Sequence, residues 1–167
     1  YFRVHSMKKA ILFDFGQTLA DSADGFRMAE KEAERELFSF IGACSWDTFI
    51  SRYRSIRRAF QERSDFSRKA MWQELCLQCG IKTDARFLQE CEYRYWETVE
   101  ANTRLFPEAL ETLGKLSGVY RLGMITNTQG QVSAAAHRFN RFPELERVFN
   151  KVVIAGESGI AAKPDPE

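Results

Sequence analysis

Hydrophobic residues follow two different spacings along the chain, and each spacing predicts a different kind of element. Short apolar runs at residues 10–13, 119–125 and 148–155 predict buried strands. Between the first two runs, apolar positions in residues 22–101 recur about every 3.6 residues, as on one face of an amphipathic helix. The pattern therefore predicts a sheet whose first strand is separated from the others by a long helical segment.

Residues that commonly begin or end helices divide this segment into four. Gly42 and Gly80 can end the first and third helices, because glycine adopts the left-handed conformation found after a helix C-terminus. Ser45 can cap the second helix, and either Thr83 or Asp84 can begin the fourth. Four amphipathic helices with short connections predict a small helical bundle.

Two further helices are predicted, one before the second strand and one between the second and third strands. Pro107 suits the first turn of a helix, where its missing N–H costs no hydrogen bond. Before the last strand, apolar residues recur at i, i+3, i+4 and i+7, namely Val132, Ala135, Ala136 and Phe139.

Strands that alternate with helices favour parallel pairing with right-handed crossovers. We therefore predict the α/β class, with a doubly wound, Rossmann-like parallel sheet formed by residues 1–21 and 102–167 and an inserted helical cap at residues 22–101. Residues 1–6 are left out of this prediction. Met7 followed by two lysines is typical of a natural start, and the residues before it resemble an expression remnant.

Polar residues follow the carboxyl ends of the first two predicted strands. Asp14 comes directly after the first strand and precedes a turn at residues 15–18, and Thr126 and Asn127 follow the second strand. Lys163 lies in the loop after the third strand. Ligands of open α/β sheets bind at this edge, so we expect these side chains to meet a ligand.

The same residues resemble the motifs of the haloacid dehalogenase superfamily. Asp14, with the turn that Leu19 closes, resembles the first motif, Thr126 resembles the second, and Lys163 before Pro164 resembles the third. Each motif alone is weak evidence, but three in the family's order on the expected elements are specific. The resemblance also implies a helical cap inserted after the first motif.

The resemblance implies a role for each of these residues. Asp14 would be a covalent nucleophile, most often towards phosphate esters. Thr126 would bind the phosphate, and Lys163 would stabilise both the phosphate and the nucleophile. We also expect Gly16, Gln17 and Asn127 to bind substrate. A nucleophilic aspartate that forms an acyl phosphate replaces one difficult substitution with two easier ones.

Gly16 is the one departure from the phosphatase pattern. In phosphatases of the family an aspartate that acts as general acid and base occupies this position, and glycine cannot transfer a proton. We therefore expect Gly16→Asp to raise the rate if proton transfer limits turnover, since a general acid contributes roughly 100- to 10,000-fold.

The resemblance implies Mg²⁺ as cofactor, held by Asp14 and by the backbone carbonyl of Gly16. The remaining ligands, an acidic pair in a fourth motif, are expected beyond residue 167. Three predicted strands are also fewer than the ~5 to 6 of ordinary sheets. We therefore expect a C-terminally truncated chain, whose exposed sheet edge favours self-association.

Composition adds exclusions. A net charge of +1 gives no general attraction to nucleic acid or membrane, and no apolar run approaches the length of a membrane span. A cytoplasmic protein with a small phosphorylated substrate is expected.

The CxxC pair, Cys76 and Cys79, lacks a second pair or a nearby histidine and is interpreted as structural thiols on a helix.

Three functions remain open from the sequence. The first is a magnesium-dependent phosphatase of a small phosphorylated metabolite. The second is a phosphate-binding or regulatory protein of the same family without efficient turnover, which the glycine at position 16 would suit. The third is a 2-haloacid dehalogenase, which uses the same nucleophile without the second aspartate.

Overall fold

The computed structural model describes residues 9–42, 44–130, 137–156 and 159–164. These residues divide into two compact units. The sheet unit contains the described residues up to Asp21, residues 104–128 and the described residues from 137 onward. The helical unit contains the described residues of 22–103 together with Gln129 and Gly130.

In chain order the described elements are β1 (Ala10–Phe13), β2 (Ala20–Asp21), α1 (Ala23–Ile41), α2 (Trp46–Glu62), α3 (Arg68–Gln78), α4 (Ala85–Ala101), β3 (Arg104–Leu105), α5 (Ala109–Ser117), β4 (Arg121–Asn127), a 3₁₀ helix (Arg138–Arg141), α6 (Pro143–Glu146) and β5 (Lys151–Ala155). Every described helix is too short or too polar to span a bilayer.

A parallel sheet with the strand order β1-β4-β5 forms the centre of the sheet unit, which confirms the predicted α/β fold class. Phe13 pairs with Met124, and Met124 pairs with Val152, so these residues lie side by side across the three strands. A buried apolar cluster that includes Met124 packs on this face, with Leu113 of α5 and Phe139 among its members. Burial of these side chains on one face of the sheet is the main stabilising contribution in this unit.

Two strands begin later than predicted, for the same physical reason. The N–H groups of Val119 and Tyr120 donate to the carbonyl of Leu116, which continues the end of α5 and leaves neither free to pair in β4. The N–H groups of Val148 and Phe149 likewise donate to the carbonyl of Leu145 after α6. β4 therefore begins at Arg121 and β5 at Lys151.

The helix predictions of this unit need two corrections. α5 begins at Ala109, so Pro107 precedes the helix instead of lying in its first turn. Phe139 lies in the 3₁₀ helix rather than in an α-helix, while Val132, Ala135 and Ala136 lie outside the described residues.

A short antiparallel pair that the sequence pattern did not reveal joins the two ends of the helical insertion. Ala20 pairs with Leu105, and Asp21 pairs with Arg104. Both strands have only two residues, too few for an alternating hydrophobic pattern to be detected. The pair fixes where the chain leaves and re-enters the sheet unit.

The four helices of the helical unit have the predicted ends. The Ser45 side chain accepts a hydrogen bond from the N–H of Thr48, and the Asp84 side chain accepts one from the N–H of Phe87. Gly42 follows α1 with a φ of 58°, in the left-handed conformation expected after a helix. These local signals were readable because each depends on one residue type at one helix end.

α1 and α4 approach each other closely at Gly25. A Cβ atom at this position would lie 2.8 Å from the carbonyl oxygen of Val99 and 3.1 Å from its Cα. Both are backbone atoms that cannot rotate away. Gly25 is therefore required for the contact between these two helices.

Glu30 is a carboxylate in the core of the helical unit. Glu30 is buried and accepts hydrogen bonds from the hydroxyl groups of Tyr53 at 2.9 Å and Tyr95 at 3.2 Å. Arg57 Nη1 lies 2.9 Å from Glu30 Oε1, and Arg68 Nε lies 3.9 Å from Oε2. A buried charge is tolerated when it is paired and hydrogen-bonded in this way.

The cysteines of the CxxC pair lie at the end of α3, as expected for structural thiols. Cys76 is buried and Cys79 is half-buried, and neither forms a disulfide. Burial raises the pKa of the Cys76 thiol, which keeps it protonated. No group of three or more His, Cys, Asp or Glu residues that could hold a metal ion occurs in the described part of the chain.

Candidate active site

Asp14 follows β1 directly and lies beside the end of β4, at the carboxyl edge of the parallel sheet. The chain then makes a tight turn, in which the N–H of Leu19 donates to the carbonyl of Phe15 at 2.9 Å and the N–H of Gln17 donates to the carbonyl of Ala20 at 2.8 Å. The side chain of Asp14 is 42% exposed. A carboxylate held on a rigid strand end but open to solvent can reach a ligand.

Lys163 contacts Asp14, although the two residues are 149 positions apart. Its Nζ atom donates to Asp14 Oδ1 at 2.8 Å and to the backbone carbonyl of Ile125 at 2.7 Å. The carbonyl belongs to β4, the central strand, so the ammonium group is oriented by the sheet itself. The structure thus brings together the first and last of the residues that the sequence selected.

Asn127 holds the backbone of Lys163. The N–H of Lys163 donates to Asn127 Oδ1 at 2.8 Å, and Asn127 Nδ2 donates to the carbonyl of Lys163 at 3.2 Å. Both ends of the amide are therefore engaged with one residue. This contact positions the lysine, and direct substrate binding by Asn127 stays a prediction.

Thr126 lies one residue before Asn127, in β4. It pairs with Ile154 of β5 and is 4% exposed. The structure places it within the same strand end as Ile125, whose carbonyl accepts from Lys163. A hydrogen bond from the Thr126 hydroxyl to a phosphate stays a prediction.

Gly16 and Gln17 form the turn after the nucleophile candidate. Gln17 has a φ of 60°, a left-handed conformation that non-glycine residues adopt rarely. Its side-chain amide donates to Asp21 Oδ1 at 3.4 Å. Binding of substrate by either residue, and of a metal by the Gly16 carbonyl, stays a prediction.

Two residues next to this site, His137 and Arg138, were missed by the sequence analysis. The sequence pattern alone assigns no role to His137, because it places the residue on a predicted helix without a visible partner. In the structure both residues are 1% exposed. The imidazole of His137 and the guanidinium of Arg138 both contact the ring of Phe15, with distances of 5.5 Å between ring centroids and 5.6 Å from Cζ to centroid. Hydrophobic periodicity does not reveal a buried cation.

His137 is held as a neutral imidazole. Its Nδ1 atom accepts a hydrogen bond from the N–H of Phe139 at 3.1 Å. The pKa of His137 is lowered from 6.5 to about 4, chiefly by burial and to a lesser extent by the adjacent charge of Arg138. The Asn127 backbone and the Asp14 carboxylate oppose this decrease without reversing it.

The fold is similar to those of three solved structures. YfnB from Bacillus subtilis, determined with bound magnesium, is 21% identical with a TM-score of 0.53, and the match covers 92% of this chain and 66% of that one. The 2-haloacid dehalogenase from Pseudomonas syringae has the same identity, TM-score and coverages. A HAD phosphatase from Thermococcus onnurineus is 19% identical with a TM-score of 0.51, covering 89% of this chain and 62% of that one.

These similarities show the fold, and the chain spans less than two thirds of the length of each of the three proteins. A comparison with curated protein sequences gives no match. A protein-family model described as haloacid dehalogenase-like hydrolase matches residues 8–167 of the 167-residue sequence. The chain therefore belongs to the haloacid dehalogenase-like hydrolases.

Proposed function

We propose that this chain carries the active site of a magnesium-dependent phosphatase, which hydrolyses a small phosphorylated metabolite through an aspartyl-phosphate intermediate. The observation that carries the proposal is the contact between Lys163 Nζ and Asp14 Oδ1 at 2.8 Å at the carboxyl end of the sheet. A nucleophile and a fixed cation at one strand end are the two groups that phosphoryl transfer requires first.

In the proposed reaction a carboxylate oxygen of Asp14 forms a bond to phosphorus while the bond from phosphorus to the ester oxygen breaks, and the leaving oxygen takes a proton from water. A second water then attacks phosphorus, which releases inorganic phosphate and restores the Asp14 carboxylate. Lys163 stabilises negative charge on the phosphoryl oxygens, and its own position is fixed by the Ile125 carbonyl and by Asn127. The Thr126 hydroxyl donates a further hydrogen bond to the phosphate. Groups that are fixed before the substrate arrives stabilise the transition state without reorganisation at the moment of reaction.

Asp14 and the backbone carbonyl of Gly16 would hold Mg²⁺. Both supply oxygen ligands, and Mg²⁺ typically takes only one or two protein carboxylates together with water and phosphate oxygens. Lys163 contacts Oδ1 of Asp14, and the carboxylate has a second oxygen to offer. When bound, the ion would neutralise part of the charge on the phosphoryl group.

The test is a screen of phosphate monoesters and acyl phosphates with Mg²⁺, using the natural full-length protein. We expect turnover that Asp14→Asn abolishes, because the amide cannot act as the nucleophile. Asp24→Asn, which removes an exposed carboxylate of α1, is the matched control and should retain activity. Turnover that survives Asp14→Asn would refute the assignment.

A 2-haloacid dehalogenase is the second candidate, and Gly16 is the observation that favours it. A halide leaves without a proton, so this reaction needs no acid at position 16. Release of halide from 2-chloropropionate without added metal, dependent on Asp14, would support it.

The third candidate is a protein that binds phosphate without turnover. Calorimetry that shows binding of inorganic phosphate by a protein inactive on every ester would favour this candidate.

A further inference from the structure

Gly156 begins the loop that carries Lys163. It follows β5 directly, and its φ of 92° lies in a region that residues with a side chain rarely adopt. Its N–H donates to the carbonyl of Ile160 at 2.9 Å, a bond that reverses the chain soon after the strand. Backbone geometry therefore fixes the start of the loop before the chain reaches Lys163.

The backbone of Gly156 lies so close to Thr128 that no side chain fits between them. A Cβ atom built at position 156 would be 2.7 Å from Thr128 Oγ1. Thr128 is buried, and its N–H donates to the carbonyl of Ala155 at 2.8 Å, which ties its backbone to the end of β5. Branching at Cβ also restricts the rotation of its side chain. A substituent at position 156 would therefore displace either Thr128 or the loop.

This close approach lies next to the contact that holds the backbone of Lys163. Thr128 follows Asn127, whose amide binds the N–H and the carbonyl of Lys163 at 2.8 and 3.2 Å. The same Cβ atom built on Gly156 would be 3.6 Å from the Cβ atom of Ala162, the residue before Lys163. Gly156 thus contacts the chain neighbours of both residues in the amide contact, and a displacement at position 156 would be passed to Lys163.

We propose that Gly156 is a positioning residue for Lys163: its missing side chain lets the loop close against the end of β4, and this close approach sets where the lysine ammonium lies. The ammonium donates to Asp14 Oδ1 at 2.8 Å and to the carbonyl of Ile125 at 2.7 Å. The consequence for turnover rests on the proposed phosphatase function, in which Lys163 stabilises the phosphoryl oxygens. The consequence for the position of the lysine does not.

The displacement expected from one methyl group is comparable to the tolerance of the hydrogen bond between Lys163 and Asp14. The added Cβ atom and Thr128 Oγ1 must separate by about 0.7 Å to reach an ordinary contact distance of 3.4 Å. A typical N–H···O hydrogen bond extends to about 3.2 Å, and the distance from Lys163 to Asp14 is 2.8 Å. A shift of this size at Lys163 would exceed that limit.

The first experiment is the crystal structure of Gly156→Ala in the natural full-length protein. We expect the distance from Lys163 Nζ to Asp14 Oδ1 to lengthen from 2.8 Å to beyond about 3.2 Å. Gly159→Ala is the matched control, because Gly159 lies in the same loop with a φ of 79°, and a Cβ atom there meets no heavy atom of the described structure within 4 Å beyond its chain neighbours. The control adds a side chain at positive φ without the steric contact, so it should keep the 2.8 Å distance.

Thr128→Ala should rescue Gly156→Ala, because it removes the Oγ1 atom that the new Cβ would meet. In the double variant the contact between Lys163 and Asp14 should return. A lysine that stays displaced in the double variant, or that is equally displaced in Gly159→Ala, would show that backbone strain is the cause and would overturn the proposal.

Binding and turnover test whether Gly156 acts through Lys163. With Mg²⁺ present, Gly156→Ala should lower kcat/KM for phosphate monoesters by about 10- to 100-fold, since a displacement of about 1 Å can cost about 100-fold. Calorimetry should show weaker binding of inorganic phosphate by Gly156→Ala. In a Lys163→Met background the same substitution should leave that affinity unchanged, because the group that it displaces is already absent. A further loss of affinity there would indicate a general structural role and would overturn the assignment.

Thr128→Val provides a second variant if Gly156→Ala does not fold. It places a methyl group where the hydroxyl lies and so widens the same contact without a side chain at positive φ. We expect a smaller lengthening of the distance from Lys163 to Asp14, and an unchanged distance would overturn the proposal.

Failure of the inference differs from failure of the proposed function. An undisplaced Lys163 in Gly156→Ala would refute the inference, while Asp14-dependent turnover by the wild type would leave the phosphatase in place. A displaced lysine in a protein whose wild type hydrolyses no phosphate compound would refute the function and support the positioning role.

Discussion

His137 should make the stability of the sheet unit depend on pH in a way that one substitution removes. In the folded protein the imidazole is 1% exposed and its pKa is lowered from 6.5 to about 4, chiefly by burial. The unfolded chain exposes the ring, which then has its ordinary pKa. Between these two pH values the unfolded state binds a proton that the folded state does not.

The size of the effect follows from the two values. A difference of about 2.5 in pKa corresponds to about 3 kcal/mol in the free energy of unfolding. Above about pH 6.5 His137 is neutral in both states, so its titration does not reduce the free energy of unfolding. As the pH falls from about 6.5 to about 4, the unfolded state binds a proton at His137 and the free energy of unfolding decreases progressively. His137→Gln keeps an uncharged polar side chain at this position and cannot titrate.

Urea unfolding at several pH values provides the assay. We expect the free-energy difference between wild type and His137→Gln to change by about 3 kcal/mol between pH 7 and pH 4, while the contributions of carboxylates cancel in that difference. The chain has only two histidines, so His5→Gln leaves one imidazole to follow by NMR. Parallel pH profiles for the two proteins, or an imidazole that titrates near 6.5 in the folded state, would refute the reasoning.

Three further predictions concern packing, a buried ion pair and self-association. Gly25→Ala should destabilise the protein by about 1 to 3 kcal/mol, because its Cβ atom would clash with the backbone of α4. Gly114→Ala, in α5 with open space around it, should stabilise the protein by about 0.5 to 1 kcal/mol. Chemical denaturation of both variants measures this contrast. Glu30→Gln should cost about 3 kcal/mol because it leaves the charge of the largely buried Arg68 without its carboxylate partner, against less than about 1 kcal/mol for the exposed Glu111→Gln, as measured by chemical denaturation. The 167-residue chain should self-associate, and Leu12→Lys, at a residue 65% exposed on β1, should reduce the mass seen by light scattering; a monodisperse wild-type monomer would contradict this.

The sequence predicted those parts of the fold that depend on local chemistry. The ends of α1, α2 and α4 were correct because Gly42, Ser45 and Asp84 each satisfy backbone groups within one turn of their helix. The starts of β4 and β5 were wrong because apolar residues after a helix look like the start of a strand. The carbonyl to which a backbone N–H group donates depends on the geometry of the preceding turn. Amino-acid composition does not reveal that geometry.

For the candidate site, too, the sequence predicted only the residues that stand in recognisable local motifs. Asp14 and Lys163 were found because each ends or follows a strand and stands in a recognisable motif, and the structure brings them to 2.8 Å. His137 and Arg138 belong to no motif and follow a segment whose predicted helix lies largely outside the described residues. Their proximity to the site depends on how the 3₁₀ helix packs against Phe15, a contact between residues more than a hundred positions apart.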